Sequence, residues 1–294
     1  MIKGIFPPIP TPFVDGELST EMLRANIDKW NTTDLTGYVV MGSNGESVFL
    51  TFDEKIRLTE SAKKFAASDK IIIAGTGSDS YKDTIELSNR AAEAGADYAL
   101  VLTPSYYTNQ MDSLAMLSYF ERVADAVKIP IIIYNVPKFT SVNIQPETVA
   151  ELSEHENIVG IKNSSEDIEH LAKINKLTPN DFSVLVGTAS VLYPAFKAGA
   201  IGGIVALANI AFNECIAILK YFNEGNFEEA EKLQSRLIEP NKAVTAKYGV
   251  PGLKSAMEMI GFFGGKPRIP LHELSKNEIE ELKNILMISG ILKN

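Results

Sequence analysis

The sequence predicts an α/β fold, a (β/α)8 TIM barrel with an appended C-terminal helical region. Short apolar runs alternate with helix-periodic stretches at intervals of roughly 20–35 residues, the rhythm of repeated βα units. Eight such runs precede residue 209, and only helical patterns follow it. One of the runs, Ile158-Val159-Gly160-Ile161, is apolar and rich in β-branched side chains, as in a strand covered on both faces. Eight strands with intervening helices fit a closed barrel better than an open sheet, although counting alone does not separate the two.

The candidate strands, in order, are 4–9, 37–41, 71–74, 98–102, 131–134, 158–161, 183–186 and 203–205. Between them, helical periodicity marks 20–30, 51–67, 82–94, 111–126 and 146–152. Ser19 before Glu21, and Asp53 after Thr51, supply start signals for two of these helices. Beyond Asn209, the stretches 212–222, 227–237, 252–261 and 276–286 read as helices. Pro240, Pro251 and Gly264-Gly265-Lys266-Pro267 are expected to break them. A length of 294 residues suits two average domains, but α/β barrels run to about 250 residues as one. No linker-like segment is evident, so residues 1–208 are read as the barrel core and 209–294 as helices packed on it in a single structural unit.

Composition narrows the function. A net charge of −9, with no basic run or aromatic–basic interleaving, argues against a nucleic-acid partner. Cys215 is alone, which excludes an intramolecular disulfide framework and a cysteine metal cluster and fits a reducing compartment. His155, His170 and His272 lack metal-ligand spacing and read as surface residues, so no metal or other cofactor is expected. The start of the chain resembles neither a signal peptide nor a transit segment, and no apolar run approaches membrane-spanning length. These features point to a cytoplasmic protein without a membrane partner.

Active sites of such barrels lie where strands end and βα loops begin. Lys162 ends the sixth run, beside a low-dielectric interior. Burial there favours the neutral amine, the form that attacks a ketone to make a Schiff base. Taken singly, such a lysine also marks where a strand meets solvent. The second run ends in Gly42-Ser43-Asn44-Gly45-Glu46-Ser47, a glycine turn before a helix, suited to holding a carboxylate on backbone N–H groups. Ser43 adds a hydroxyl that could relay a proton. The fourth run ends in Thr103-Pro104-Ser105-Tyr106-Tyr107 and the fifth in Tyr134-Asn135-Val136-Pro137. Strand-end tyrosines are commonly core packing. Strands five and six adjoin in a barrel, however, so Tyr134 and Lys162 would face one cavity. A phenol beside an amine, with a hydroxyl and a carboxylate cradle, is a complete set for imine chemistry.

Gly42-Ser43-Asn44-Gly45-Glu46, Tyr134-Asn135-Val136-Pro137 and Gly160-Ile161-Lys162 together resemble the dihydrodipicolinate synthase and N-acetylneuraminate lyase family. The resemblance runs from Gly4-Ile5-Phe6-Pro7-Pro8 to Pro270-Leu271. Within the family it looks closest to 4-hydroxy-2-oxoglutarate aldolases, through the segments 42–46, 103–107, 233–240 and 249–254. It implies that Lys162 forms the Schiff base and that Tyr134 transfers the proton. Ser43 and Tyr106 would complete the relay, with Tyr106 reaching in from a neighbouring subunit of a homodimer or homotetramer. The amides of Ser43 and Asn44 would hold the substrate 1-carboxylate, and Ser164, Gly187 and Thr188 would approach its distal part. Two positions depart from the family pattern. Asn44 replaces a usual threonine, which leaves the relay to Ser43. Phe139 stands where the synthases carry an arginine, with Lys138 before it, so the bidentate partner for a second substrate's carboxylate is missing.

The function these features imply is a class I, pyruvate-releasing aldolase acting on a small 2-keto acid such as 4-hydroxy-2-oxoglutarate, with glyoxylate as the aldehyde product. Three alternatives stand behind it: an aldolase for a 2-keto-3-deoxy sugar acid, a dihydrodipicolinate synthase, and a non-catalytic keto-acid-binding protein.

Overall fold

The computed structural model describes residues 1–293. Its centre is a barrel of eight parallel strands: β1 (Gly4–Phe6), β2 (Gly37–Val40), β3 (Ile71–Gly75), β4 (Tyr98–Leu102), β5 (Ile131–Asn135), β6 (Ile158–Asn163), β7 (Ser183–Val186) and β8 (Gly202–Ile204). Each strand pairs with its successor from β2 to β8, and β8 returns to β1 through Gly4↔Gly202. The last seam, between the chain after β1 and β2, closes through a single bridge at Pro8↔Val39. The first strand is thus shorter than the predicted 4–9. Pro7 and Pro8 have no N–H to donate, and the seam rests on Ile9 N to Val39 O and Val39 N to Pro7 O.

Strand periodicity divides the apolar residues into two cores. Phe6, Val39, Ile73, Leu100, Ile132, Leu185 and Ile204 point inward and fill the barrel. Their neighbours, among them Ile5, Val40, Ala74, Val101, Ile133 and Ile161, point outward against the helices. The helix Thr20–Trp30 buries Leu23, Ile27 and Trp30, the i, i+4, i+7 stripe of one helical face. Each such side chain contributes roughly 1.5–3 kcal/mol on burial. Ser19 caps this helix by accepting from Met22 N. Thr51 and Glu54 form a reciprocal capping box for Phe52–Phe65, so Thr51, rather than Asp53, sets that start.

The C-terminal region is helical: Phe212–Asn223, Phe227–Lys242, Gly249–Met259 and Lys276–Ile288. Two expected breaks are not breaks. Pro240 lies inside the helix Phe227–Lys242, buried with Leu237 and Asn241, and a π-helical turn, Ala243–Lys247, follows that helix. Pro251 sits in the first turn of Gly249–Met259, where a missing N–H costs nothing. Among the described residues no helix is long and apolar enough to cross a membrane.

Candidate active site

Strand register brings the two principal residues together. β5 and β6 each run one or two residues past their predicted ends, and Tyr134 pairs directly with Lys162 across them. Both side chains point into the barrel above Ile132 and Gly160, and they are 6% and 3% exposed. The Lys162 Nζ lies 3.9 Å from the centre of the Tyr134 ring, and Ser43 Oγ lies 3.3 Å from the Tyr134 hydroxyl. Burial pushes the phenol's pKa up. The Lys162 charge and the hydroxyls of Ser43 and Ser164 together outweigh it and hold the phenol below its ordinary value.

The β2 loop supplies the proposed cradle. Ser43–Gly45 forms one 3₁₀ turn, and the amides of Ser43 and Asn44 meet no acceptor among the described residues. Asn44 is half-buried and its carboxamide makes no hydrogen bond there. The turn ends at Glu46, held in the left-handed region at φ 56°. Its carboxylate turns inward to a second buried lysine, Lys254.

Ser164 follows β6, its N–H donating to Asn135 O at 2.8 Å. Gly187, at the end of β7, has to be glycine because a Cβ there would collide with the Ser164 side chain. Thr188 Oγ1 accepts from Ser190 N and from Asn241 Nδ2 at 3.0 Å, and so is tied to the C-terminal helices. Phe139 stands exposed on a short helix, Pro137–Thr140, directly after β5. Lys138 turns to Thr245 O at 3.3 Å. Tyr106 is not part of the constellation within one chain. It is 80% exposed on the rim, edge-on to Tyr107, with its backbone N–H donating to Asp79.

Sequence reasoning missed the layer behind the site. Asn135 and Asn163 follow Tyr134 and Lys162, so strand alternation turns them to the opposite face. Asn135 Nδ2 donates to Asn163 Oδ1 and Asn143 Oδ1, and Asn163 Nδ2 reaches His170 Nδ1 at 3.2 Å. His170 Nε2 meets the Ile144 carbonyl, which only accepts, so the network assigns the proton to Nε2 and leaves Nδ1 to accept. His170 is therefore a half-buried network residue and not the surface residue expected. The paired asparagines, one after Tyr134 and one after Lys162, were the available signal. Among the described residues no group of three or more His, Cys, Asp or Glu could hold a metal.

Residues 1–289 match the model of the dihydrodipicolinate synthetase family. A 4-hydroxy-tetrahydrodipicolinate synthase of Methanothrix thermoacetophila is 36% identical over 288 residues, 97% of this chain and 96% of that one. Among solved structures, dihydrodipicolinate synthase from Aquifex aeolicus is 34% identical and superposes with a TM-score of 0.93, covering all of both chains. YagE, a prophage protein of the same family from E. coli K12 solved in complex with pyruvate, is 28% identical, with a TM-score of 0.93 over 99% of each chain.

Proposed function

The chain belongs to the dihydrodipicolinate synthetase family, whose members are carbon–carbon lyases working through pyruvate Schiff bases, and on that premise we propose that it is a class I aldolase releasing pyruvate from a 4-hydroxy-2-oxo acid. The observation that carries the reading is the direct pairing of Tyr134 with Lys162 inside the barrel, with the amine 3.9 Å from the ring centre.

In this mechanism the Ser43 and Asn44 amides receive the 1-carboxylate. Lys162 Nζ adds to C2, and loss of water leaves an iminium. Tyr134, as phenolate, takes the 4-hydroxyl proton. The C3–C4 bond then breaks, its electron pair flows into the iminium, and the aldehyde departs from an enamine. Protonation at C3 and hydrolysis return pyruvate and the free lysine. The lowered Tyr134 pKa supports the base role, because a greater share of the phenol is ionised at a given pH. Ser43 relays the proton outward. Tyr106, exposed in the single chain, would complete the relay from a second copy in a homodimer or homotetramer.

Glyoxylate from 4-hydroxy-2-oxoglutarate is the proposed aldehyde half. A second reading, synthase activity, is favoured by the name of the Methanothrix thermoacetophila relative. Against it stands Phe139, exposed where the sequence resemblance places an arginine, while Lys138 is engaged by a backbone carbonyl. Ser164, Gly187 and Thr188 form the distal wall in either case. One assay separates the readings: pyruvate release from 4-hydroxy-2-oxoglutarate and from 2-keto-3-deoxy sugar acids, run beside pyruvate consumption with aspartate semialdehyde. Dominant consumption in the last arm would overturn the aldolase assignment. Borohydride with pyruvate should label Lys162, and an unlabelled lysine would remove the Schiff base altogether.

A further inference from the structure

Lys254, in the helix Gly249–Met259, is the other fully buried lysine near the site, 1% exposed. Its ammonium carries three donors and faces three acceptors. It donates to Thr11 O at 2.9 Å and to Lys266 O at 3.0 Å. Its third neighbour is Glu46 Oε1 at 2.7 Å, an ion contact lying off the line of an ideal hydrogen bond, with both side chains sealed from solvent. The other Glu46 oxygen accepts from Arg268 N at 2.7 Å. Thr11 closes the circuit, its hydroxyl donating to Gly45 O at 2.6 Å. One amine thus joins the loop after β1, the loop after β2 and the segment before Arg268.

The knot sits at the end of the Ser43–Gly45 turn. Gly45 is held through its carbonyl, and Glu46 through both carboxylate oxygens while its backbone occupies the left-handed region. A non-glycine residue there is strained unless its surroundings fix it. The two amides without an acceptor among the described residues, those of Asn44 and Ser43, lie two and three residues before Glu46.

We propose that Lys254 is a positioning residue for the keto-acid carboxylate: by anchoring Glu46 it fixes the turn whose Ser43 and Asn44 amides receive that group. This rests on reading the turn as the carboxylate cradle. It gives the C-terminal helical region a part in substrate binding although none of its residues need touch the substrate. The predicted signature is weaker keto-acid binding with the imine-forming step intact.

The test is borohydride trapping of Lys162 by pyruvate across a concentration series, in the wild type and in a Lys254→Met/Glu46→Gln double variant. Removing both charges leaves no orphaned ion, and the glutamine still offers an acceptor to Arg268 N, so the fold should survive. The half-saturating pyruvate concentration should rise about tenfold or more, equivalent to about 1.4 kcal/mol. Labelling at saturation and the melting temperature should stay near wild type. A folded double variant with wild-type half-saturation would overturn the proposal. So would unchanged half-saturation with lost labelling at saturation, because Lys254 would then act on the imine step. If the double variant does not fold, Lys254→Met alone serves, since the buried Glu46 carboxyl can take a proton and still accept from Arg268 N. Wild-type half-saturation in that variant would equally refute the role. A wild type that traps no pyruvate refutes the Schiff-base reading itself, which separates the two failures.

Discussion

Replacing Tyr134 with phenylalanine removes one hydroxyl from the centre of the site and leaves its ring in place. The ring belongs to the barrel interior with Ile132, Leu185 and Ile204, and that packing is unchanged in Tyr134→Phe. The hydroxyl's bond to Ser43 Oγ is 3.3 Å long, well beyond the usual 2.7–2.8 Å for paired hydroxyls, so its loss should cost less than about 1 kcal/mol of stability. For a chain of this size that lowers the melting temperature by no more than about 3 °C. The rate should respond on another scale. A positioned general base contributes about 10²–10⁴-fold, so kcat for keto-acid cleavage should fall within that range. Borohydride trapping of pyruvate on Lys162 should persist, because no C–C bond breaks in forming that imine. The pH profile gives a further check with a definite sign. On the proposed mechanism the working form is the phenolate, so wild-type activity should rise with pH as Tyr134 ionises, below its ordinary value near 10. Tyr134→Phe should lose that limb. Near-normal kcat, or an unaltered limb, would refute the role of Tyr134 as base.

Three further outcomes are expected. Lys162→Ala and Tyr106→Phe, each inactive, should regain activity when unfolded and refolded together, since a mixed dimer carries one intact site; no rescue despite demonstrated heterodimers would place Tyr106 outside its partner's site. Gly187→Ala should displace Ser164 and destabilise the protein by about 1–3 kcal/mol, read from denaturant unfolding, with a raised KM for the keto acid. Arg268, bonded to Glu54 at 2.6 Å, holds its carboxyl down to about 2 from 4.5. A depressed carboxylate pKa gives stability that is full above about 4.5 and is lost as pH falls through about 2. Glu54→Gln should therefore remove pH-dependent stability from acid unfolding curves, about 1 kcal/mol once solvent screening of the pair is allowed for, and an unchanged acid limb would show the pair to be inert.

The pairing of Tyr134 with Lys162 was legible because it depends only on strand order and period. Once Tyr134 and Lys162 are assigned to consecutive strands of a barrel, parallel pairing sets them side by side, and the observed register does so. The expected closed barrel follows the same logic, apart from the proline-rich seam at β1. What escaped depends on partners distant in sequence. Glu46 and Lys254 are a motif glutamate and an unremarked helical lysine until folding stacks the C-terminal helices on the β2 loop. His170 looked like a surface residue because its partners, Asn163 and the Ile144 carbonyl, belong to other segments. Pro240 was misjudged for a related reason. Local rules treat proline as a stop, whereas here the helix continues through Pro240, buried with Leu237 and Asn241, and gives up one backbone hydrogen bond.

The helix Pro137–Thr140 divides labour within the site. Tyr134 and Lys162 are fixed in strands whose register a side-chain change does not move, whereas Lys138 and Phe139 project from a single solvent-facing turn. On the proposed reading, alterations at 138 and 139 would change which aldehyde is accepted while Tyr134 and Lys162 stay as they are. For an enzyme engineer, these two codons are the place to begin a library. For a lineage diversifying after gene duplication, they would on that reading offer a short path from one carbonyl partner to another, with Tyr134 and Lys162 untouched along it.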